Sequence, residues 1–150
     1  MRRAVIFDID NTLIDTQERF SLCEKEAKGS KNALWQCYFS GEHLELDKPI
    51  SSMIRLLKAY KHYGYEIVLI TGRPLTTKEY TEKQLQEFGI EYDIIIYRED
   101  GDYSFDFLYK ATVVEKLMTK YEIIRMYDDS DKVRKYLAAK LHIQVFDPKV

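Results

Sequence analysis

Short apolar runs separated by longer helical stretches are the feature that most constrains how this chain folds. The runs cover residues 4–7, 66–70, 93–97, 123–127 and 143–146, and each is followed by a polar residue. Strands that alternate with helices in this way form parallel sheets with helices packed on both faces. The sequence therefore predicts an α/β fold built on a doubly wound parallel sheet of about five strands.

Length and composition indicate one globular domain over residues 1–150. The 150 residues are 45% apolar and 32% charged, which excludes a largely disordered or collagen-like chain. The net charge of −2 argues against a protein that coats nucleic acid wholesale. Every apolar run is much shorter than the roughly 18–20 residues of a membrane span, so we expect no membrane anchor.

Proline, glycine and hydroxyl residues predict where several helices begin. Asp47-Lys48-Pro49 places proline in the first turn of a helix, where its missing N–H has no cost. Thr76 and Glu79 have the spacing of a capping box for the following helix. A further helix is expected around residues 110–120, and Ser130 is expected to cap the last one.

The two cysteines favour an intracellular location. Cys23 and Cys37 lie 14 residues apart with no Cys-x-x-Cys pair, which is typical of reduced thiols. Only four apolar residues precede Asp8, too few for a signal peptide, so we expect a cytoplasmic protein. A zinc site formed by both cysteines and His43 is the alternative.

Four polar residues each follow one of the predicted strands. They are Asp8, Thr71, Arg98 and Asp128. In a sheet whose strands all run the same way, these positions fall along the carboxyl edge, where open α/β folds bind their ligands. The sequence therefore predicts a functional site at this edge.

The carboxylates at this edge have the chemistry of a magnesium site. Asp8 and Asp10 are two residues apart, so in an extended chain both side chains point to the same face. Carboxylates that close repel one another unless a cation or a proton intervenes, and Mg²⁺ prefers oxygen ligands. Asp128 and Asp129 complete the set from another strand. Taken alone, each pair is also compatible with capping a turn or a helix.

A small-residue segment, Thr71-Gly72-Arg73-Pro74, follows the second long strand and leads into a helix. A hydroxyl group and free backbone N–H groups in such a place suit a phosphate oxygen. Other charged residues have no functional signal when each is considered alone: these are Arg19, Arg98, Asp106 and Lys110. Any functional assignment of these residues depends on their order and spacing along the chain.

That order resembles the haloacid dehalogenase-like (HAD) phosphohydrolase superfamily, whose fold is Rossmann-like. Its four motifs run in sequence as Asp-x-Asp-x-Thr, Thr-Gly-Arg after a strand, a lysine, and Asp-Asp after a strand. The resemblance implies that Asp8 is the nucleophile that forms an aspartyl-phosphate, and that Asp10 is the general acid and base. It also implies that Mg²⁺ is held by the carboxylates of Asp8 and Asp128 and the main-chain carbonyl of Asp10.

The same resemblance assigns the remaining motif residues. It implies that Thr71, Lys110 and the Gly72 turn bind the transferred phosphoryl group and spread its charge. Asp129 would orient Lys110 or a metal-bound water. The second aspartate of the first motif is typical of the phosphatases of the superfamily, so the expected activity is that of a phosphoric monoester hydrolase.

A narrower resemblance is to the phosphatase domain of the phage polynucleotide kinase/phosphatase, which removes 3′-phosphates from nucleic-acid ends. It rests on Arg19 eleven residues after Asp8, on Arg73, and on Arg98 followed by Asp106 ahead of Lys110. It implies that Arg19, Arg98 and Asp106 bind substrate or phosphate, and that Arg73 either binds phosphate or stabilises the fold. A DNA or RNA 3′ end is then the expected partner, and a nucleotide or sugar phosphate is the alternative. Two departures are the absence of a kinase phosphate-binding loop and Asn11 in place of the usual glycine.

Residues 16–47 form the region in which the superfamily often carries a cap domain. This interval has room for two short helices, with a break at Gly29-Ser30, so the sequence predicts a small helical, cap-like insert. Its aromatic residues could form a lid, a stacking surface for a base, a contact between copies of the chain, or ordinary packing; they are Phe20, Trp35, Tyr38 and Phe39.

Overall fold

The computed structural model describes residues 1–149, and its core is a five-stranded parallel sheet. The strands of this sheet, in the spatial order β5-β4-β1-β6-β7, are β5 (Ile94–Arg98), β4 (Glu66–Pro74), β1 (Arg2–Phe7), β6 (Tyr121–Tyr127) and β7 (Val145–Phe146). Two shorter strands, β2 (Ile14–Asp15) and β3 (Lys48–Pro49), form a separate antiparallel pair. The predicted doubly wound α/β fold is confirmed.

The central strand is β1, and the chain winds outward from it in both directions. It passes first to β4 and β5 on one side, then crosses over to β6 and β7 on the other. Phe7, the last residue of β1, pairs with Leu69 of β4 and with Tyr127 of β6. Strand order therefore reverses at the carboxyl end of β1, which is where such folds form a ligand-binding crevice.

Residues 1–149 contain six α-helices, of which α3 to α6 pack on the sheet: α1 (Gln17–Ala27), α2 (Lys31–Tyr38), α3 (Ser51–His62), α4 (Lys78–Glu87), α5 (Asp106–Leu117) and α6 (Asp131–Leu141). Successive side chains of β1 enter two separate cores, because side chains alternate along a strand. Val5 and Phe7 pack with α3 and α4, whereas Ala4 and Ile6 pack with α5 and α6. Both faces of the central strand are thus buried.

Two of the predicted helix starts are wrong and one is confirmed. Lys48–Pro49 pairs with Ile14–Asp15 as a strand, so α3 begins only at Ser51. The capping box at Thr76 does not form: residues 75–77 make a 3₁₀ turn, and the hydroxyl of Thr77 donates to the Pro74 carbonyl. Ser130 does cap α6, since its side chain accepts from the Val133 N–H at 3.3 Å.

The insert lies between β2 and β3 and contains α1, α2 and a 3₁₀ turn at Leu44–Leu46. Its entry and exit are adjacent, because β2 pairs with β3. The prediction of reduced thiols is wrong: α1 packs against α2, which brings the two cysteine Cα atoms to 5.5 Å, and Cys23 and Cys37 form a disulfide. Both sulfurs are committed to that bond, so the zinc alternative with His43 has no thiolate ligand.

Within residues 1–149, none of the helices combines the length and the apolar character that crossing a membrane requires.

Candidate active site

The polar residues predicted to meet at the carboxyl edge of the sheet do lie there. Asp8 follows β1, Asp128 follows β6, Arg98 ends β5 and Thr71 lies in the last part of β4. The backbone N–H of Asp8 donates to the Tyr127 carbonyl at 3.0 Å, which holds Asp8 against β6 at the reversal of strand order.

The turn after Asp8 keeps both aspartates of the first motif in place. The N–H groups of residues 12, 13 and 14 all donate to the Ile9 carbonyl at 2.9–3.2 Å, so the chain curls tightly after β1. This turn requires a positive φ at Asn11, which has φ 62°. Asparagine tolerates this conformation better than most residues, so the departure from glycine is accommodated.

Lys110 is the centre of the charge cluster at this edge. Its Nζ lies 2.7 Å from Asp128 Oδ2 and 3.1 Å from both Asp8 Oδ1 and Asp106 Oδ2. The lysine side chain is only 3% exposed. Burial opposes its charge, but Asp8, Asp128 and Asp106 outweigh burial and hold the pKa of Lys110 well above its ordinary value. One buried ammonium group thus joins carboxylates from three segments.

The carboxylates around Lys110 are not fully neutralised by it. Burial, and then the neighbouring charge of Asp128, raise the pKa of Asp8 well above its usual range despite the ammonium group. Burial also raises the pKa of Asp128. Asp8, Asp128 and Asp129 each offer a carboxylate oxygen, and these oxygens lie within 4.8 Å of one another. An additional positive charge beside them would therefore be favourable.

Asp129 differs from its predicted role in one respect. Among residues 1–149 the ion pairs of Lys110 are with Asp8, Asp106 and Asp128, so Asp106 rather than Asp129 orients the lysine. The Asp129 carboxylate faces Asp8 and Asp128 instead. This geometry agrees with its alternative role near a metal-bound water.

Asp10 faces away from Lys110 toward two arginines. Arg73 donates to both of its oxygens, from Nη2 to Oδ1 at 2.8 Å and from Nε to Oδ2 at 3.1 Å. Arg19 Nη2 lies 3.8 Å from Oδ1. Burial acts to raise the pKa of Asp10, but the charge of Arg73, with that of Arg19, outweighs burial and lowers it.

A bulge in β4 shapes the Thr71-Gly72-Arg73 segment, which is part of the strand and not the turn that the sequence predicts. Between the pairs Ile70–Ile96 and Pro74–Arg98, β4 advances four residues while β5 advances two. A Cβ at Gly72 would lie 2.9 Å from Asp106 Oδ1, so a larger residue here would require the Asp106 side chain to move. The hydroxyl of Thr71 accepts from the Arg73 N–H at 3.0 Å and retains its own proton.

Arg98 supports the loop that leads from β5 to α5. Its Nη1 donates to the Ser104 carbonyl at 2.6 Å and its Nη2 to Asp106 Oδ1 at 3.0 Å, and its guanidinium lies over the Tyr109 ring. Arg98 therefore reaches Lys110 only through Asp106.

Two buried polar residues near Asp10 had no signal in the sequence. Asp47 accepts from Arg19 Nε at 3.0 Å, and Gln84 donates to Asp47 at 2.7 Å. The sequence places Asp47 at a predicted helix start and Gln84 in no motif, because either residue alone is an ordinary capping or surface residue. Their shared burial could not be inferred without the positions of the insert and α4.

A buried lysine ringed by aspartates at the strand-order reversal of a doubly wound sheet is typical of enzymes that transfer phosphoryl groups. The model of the HAD superfamily, subfamily IIIB (acid phosphatase), matches residues 1–132. The chain therefore belongs to this family of phosphoric monoester hydrolases. No curated protein sequence matches the chain significantly.

Several solved structures share the fold. A chain of the Pnkp1/Rnl/Hen1 RNA repair complex is 25% identical, with a TM-score of 0.77 over 98% of this chain and 42% of that one. The class C acid phosphatase from Bacillus anthracis, with tungstate bound, is 18% identical over 94% of this chain and 62% of that one, with a TM-score of 0.66. A haloacid dehalogenase-like family hydrolase from Streptococcus pneumoniae is 17% identical over 96% and 83%, also with a TM-score of 0.66.

The chain spans less than half the length of the Pnkp1-complex chains that it matches. The likeness to these chains and to HAD hydrolases agrees with the resemblance drawn from the motifs.

Proposed function

We propose that the protein is a Mg²⁺-dependent phosphomonoesterase that works through an aspartyl-phosphate on Asp8, and that its substrate is the 3′-phosphorylated end of a polynucleotide. The observation that carries the proposal is the buried contact of Lys110 with Asp8 and Asp128, since it places a nucleophile beside a fixed positive charge. Such preorganised charge is what a transferring phosphoryl group requires.

In the first step, an Asp8 oxygen attacks phosphorus and the bond to the leaving oxygen breaks. The proposal requires Asp10 to be protonated when substrate is bound, against the lowering of its pKa by Arg73 and Arg19. Asp10 then gives this proton to the leaving oxygen, so the product leaves as an alcohol. In the second step, water attacks the aspartyl-phosphate, Asp10 takes a proton from the water, and the bond between phosphorus and the Asp8 oxygen breaks. Inorganic phosphate leaves, and both aspartates return to their starting forms.

Four groups would bind the phosphoryl oxygens, and one of them, the ammonium group of Lys110, lies 3.1 Å from Asp8 Oδ1. The hydroxyl proton of Thr71 and the backbone N–H groups at Gly72 are further donors in this role. Arg19 supplies another donor, because its Nη2 is buried without a hydrogen-bond partner among residues 1–149. Arg73 binds Asp10 directly, whereas Arg98 binds Asp106, which in turn contacts Lys110.

The residues present fit Mg²⁺. The carboxylates of Asp8, Asp128 and Asp129 offer oxygen ligands only, which is the donor set that this ion prefers. In the proposed site the Asp8 and Asp128 carboxylates and the Asp10 carbonyl hold the ion, with Asp129 beside them. When bound, the ion neutralises charge on the phosphoryl group and on the aspartates.

The similarity to a chain of the Pnkp1/Rnl/Hen1 RNA repair complex supports a polynucleotide substrate. The small size of the insert supports it too, since a large cap would exclude a polymer. Asp106 is 41% exposed, so the site is open on the side of the loop at 99–105. The acid phosphatase family match and the net charge of −2 favour the second candidate, a phosphatase of nucleotides or sugar phosphates.

Phosphate release separates the two candidates. The substrates are a 3′-phosphorylated oligonucleotide, its 5′-phosphorylated counterpart and a panel of nucleotide and sugar phosphates, each with Mg²⁺ or with EDTA. We expect release from the 3′ end, little from the 5′ end, and loss of both with EDTA. Turnover of metabolites alone would reject the polynucleotide substrate, and full activity in EDTA would reject the metal.

Location and assembly belong to the same proposal. We propose a cytoplasmic protein, although the disulfide removes the support that reduced thiols would give. Association of copies through the aromatic residues of the insert is proposed as well, and light scattering of the purified protein tests it.

A further inference from the structure

Asp10 and four buried polar side chains form a closed ring. Going round, Arg73 donates to Asp10 and, through Nη1, to Gln84 Oε1 at 3.0 Å. The Gln84 amide donates to Asp47 Oδ2 at 2.7 Å, and Asp47 accepts from Arg19 Nε at 3.0 Å. Arg19 Nη2 closes the ring at 3.8 Å from Asp10 Oδ1.

The ring is electrically balanced when Asp10 is ionised, and four of its five members are buried. Its two arginines are each 1% exposed in their side chains, the Asp47 side chain is fully buried, and the Asp10 side chain is 18% exposed. Two positive and two negative charges then cancel, so each charge has a partner. Removal of one charge from such a set leaves another unpaired, which is strongly unfavourable.

The members of the ring come from the sheet with its flanking helices and from the insert. Asp10 and Arg73 belong to the sheet edge, Gln84 to α4, Arg19 to α1, and Asp47 to the exit of the insert just before β3. The ring therefore determines where the insert lies relative to the proton-transferring carboxylate.

The three nitrogens of the Arg19 guanidinium group have different surroundings within this ring. Its Nε is taken by Asp47 and its Nη1 by the Tyr38 carbonyl, while Nη2 has no hydrogen-bond partner within residues 1–149. Asp47 thus keeps Arg19 from closing fully onto Asp10. Arg73, whose other donors go to Gln84 and Thr81, grips both Asp10 oxygens and sets the plane of that carboxylate.

We infer that Asp47 and Gln84 are positioning residues that act through Arg19 and Arg73 to hold Asp10 on the leaving oxygen. This inference rests on the proposed function, in which Asp10 protonates that oxygen. Without Asp47, Arg19 would pair with Asp10 instead, and without Gln84, Arg73 would lose one of the contacts that orient it.

The chemistry of the leaving group distinguishes positioning from a purely structural role. A nitrophenolate leaves readily without a proton, whereas an alkoxide needs one as the bond to phosphorus breaks. Misplacement of Asp10 therefore slows alkyl phosphates and spares p-nitrophenyl phosphate. Loss of folded protein slows both equally.

The experiment compares kcat/KM for p-nitrophenyl phosphate with that for an alkyl phosphate, either the 3′-phosphorylated oligonucleotide or glycerol 2-phosphate, whichever the wild type hydrolyses. The variants are Asp47→Asn, which removes charge, and Gln84→Met, which removes the amide and keeps the volume. We expect each to lose about tenfold or more on the alkyl ester, within the roughly 10²–10⁴ that general acid catalysis supplies, and much less on p-nitrophenyl phosphate.

Asp93→Asn is the matched control. Asp93 also accepts two hydrogen bonds, from Lys61 and from the Ile67 N–H, but it lies at the opposite edge of the sheet. It should lower stability without any selectivity between the esters. Urea unfolding of every variant normalises the rates to folded protein, and Gln84→Met keeps the test decisive if Asp47→Asn does not fold.

Two failures are distinguishable. If Asp8→Asn is inactive and the ring variants lose both esters equally or neither, the positioning inference is wrong and the proposed function stands. If Asp8→Asn keeps full activity, or the wild type hydrolyses neither ester, the proposed function fails and the inference fails with it.

Discussion

The carboxyl edge of the sheet and the insert are built on different principles. At the edge, Lys110 binds carboxylates as distant in sequence as Asp8, 102 positions away, and both of these side chains are nearly buried. In the insert, neighbouring helices are joined by a disulfide over 14 residues, and Trp35 is 46% exposed. The difference teaches that contacts between distant charged residues fix the carboxyl edge, whereas local contacts organise the insert.

The aromatic residues of the insert illustrate its local organisation. Trp35 stacks on Phe39 with ring centroids 5.8 Å apart, and Tyr38 lies beneath them with Arg19 over its ring. Packing within the insert thus accounts for most of this cluster, while Trp35 keeps one exposed face. The buried ring around Asp10 is where the two regions meet.

The largest effect is expected at the nucleophile. Asp8→Asn should reduce phosphate release by more than about 10³-fold, because it removes the proposed nucleophilic carboxylate. The fold should persist, since amide and carboxylate have the same shape. Phosphate assays and thermal unfolding measure both, with the exposed Asp131→Asn as a control of unchanged turnover. Appreciable residual activity would remove the covalent mechanism.

The second largest effect tests whether the ion pairs of Lys110 stabilise the carboxyl edge of the sheet. Lys110→Met should lower the free energy of unfolding by about 3–5 kcal/mol, because it leaves buried carboxylates uncompensated. Chemical unfolding with and without Mg²⁺ provides the measurement. We expect Mg²⁺ to stabilise this variant more than the wild type. Equal stabilisation of both proteins would argue against a metal among Asp8, Asp128 and Asp129.

Removal of the disulfide in the insert should lower stability but leave turnover largely unchanged. Replacing both Cys23 and Cys37 with serine should lower the free energy of unfolding by about 3 kcal/mol, the value expected for a closed loop of about 15 residues. Turnover of p-nitrophenyl phosphate should be largely retained, because charged contacts hold the reacting groups. The wild type treated with dithiothreitol is the matched comparison. A collapse of turnover would mean that the two regions are not independent.

The smallest effect concerns the exposed ring. Trp35→Ala should raise KM for the 3′-phosphorylated oligonucleotide about fivefold or more, since stacking of a base on an aromatic ring contributes about 1–3 kcal/mol. KM for p-nitrophenyl phosphate should not change. Tyr63→Ala is the control, because Tyr63 is an aromatic residue at the end of α3 that is 77% exposed, more than Trp35. Equal KM values for the oligonucleotide would exclude a stacking role.

Much of the fold could be predicted because strand and helix signals are local. Alternation of apolar runs with helices located all five strands of the sheet, and Ser130 was recognised as a cap from its immediate neighbours. The errors came where distant segments competed. Lys48–Pro49 pairs with Ile14–Asp15 instead of opening a helix, and the Thr77 hydroxyl binds the Pro74 carbonyl, so Thr76 has no capping role.

The site was predictable in its members and less so in its connections. A residue that follows a parallel strand must lie at the carboxyl edge, so Asp8, Thr71, Arg98 and Asp128 could be grouped from the sequence. Their partners could not be. Lys110 pairs with Asp106 rather than Asp129, and Arg98 acts only through Asp106.

Sequence alone determined the order of the elements, the motif residues at the strand ends and the class of chemistry, because each depends on residue type and near neighbours. Only the tertiary structure decided that Cys23 meets Cys37 and that Asp47 and Gln84 close a ring on Asp10. Those contacts join segments up to 37 positions apart, and burial selects them. A buried charge requires an oppositely charged partner beside it in the folded protein, and that partner can be distant along the chain.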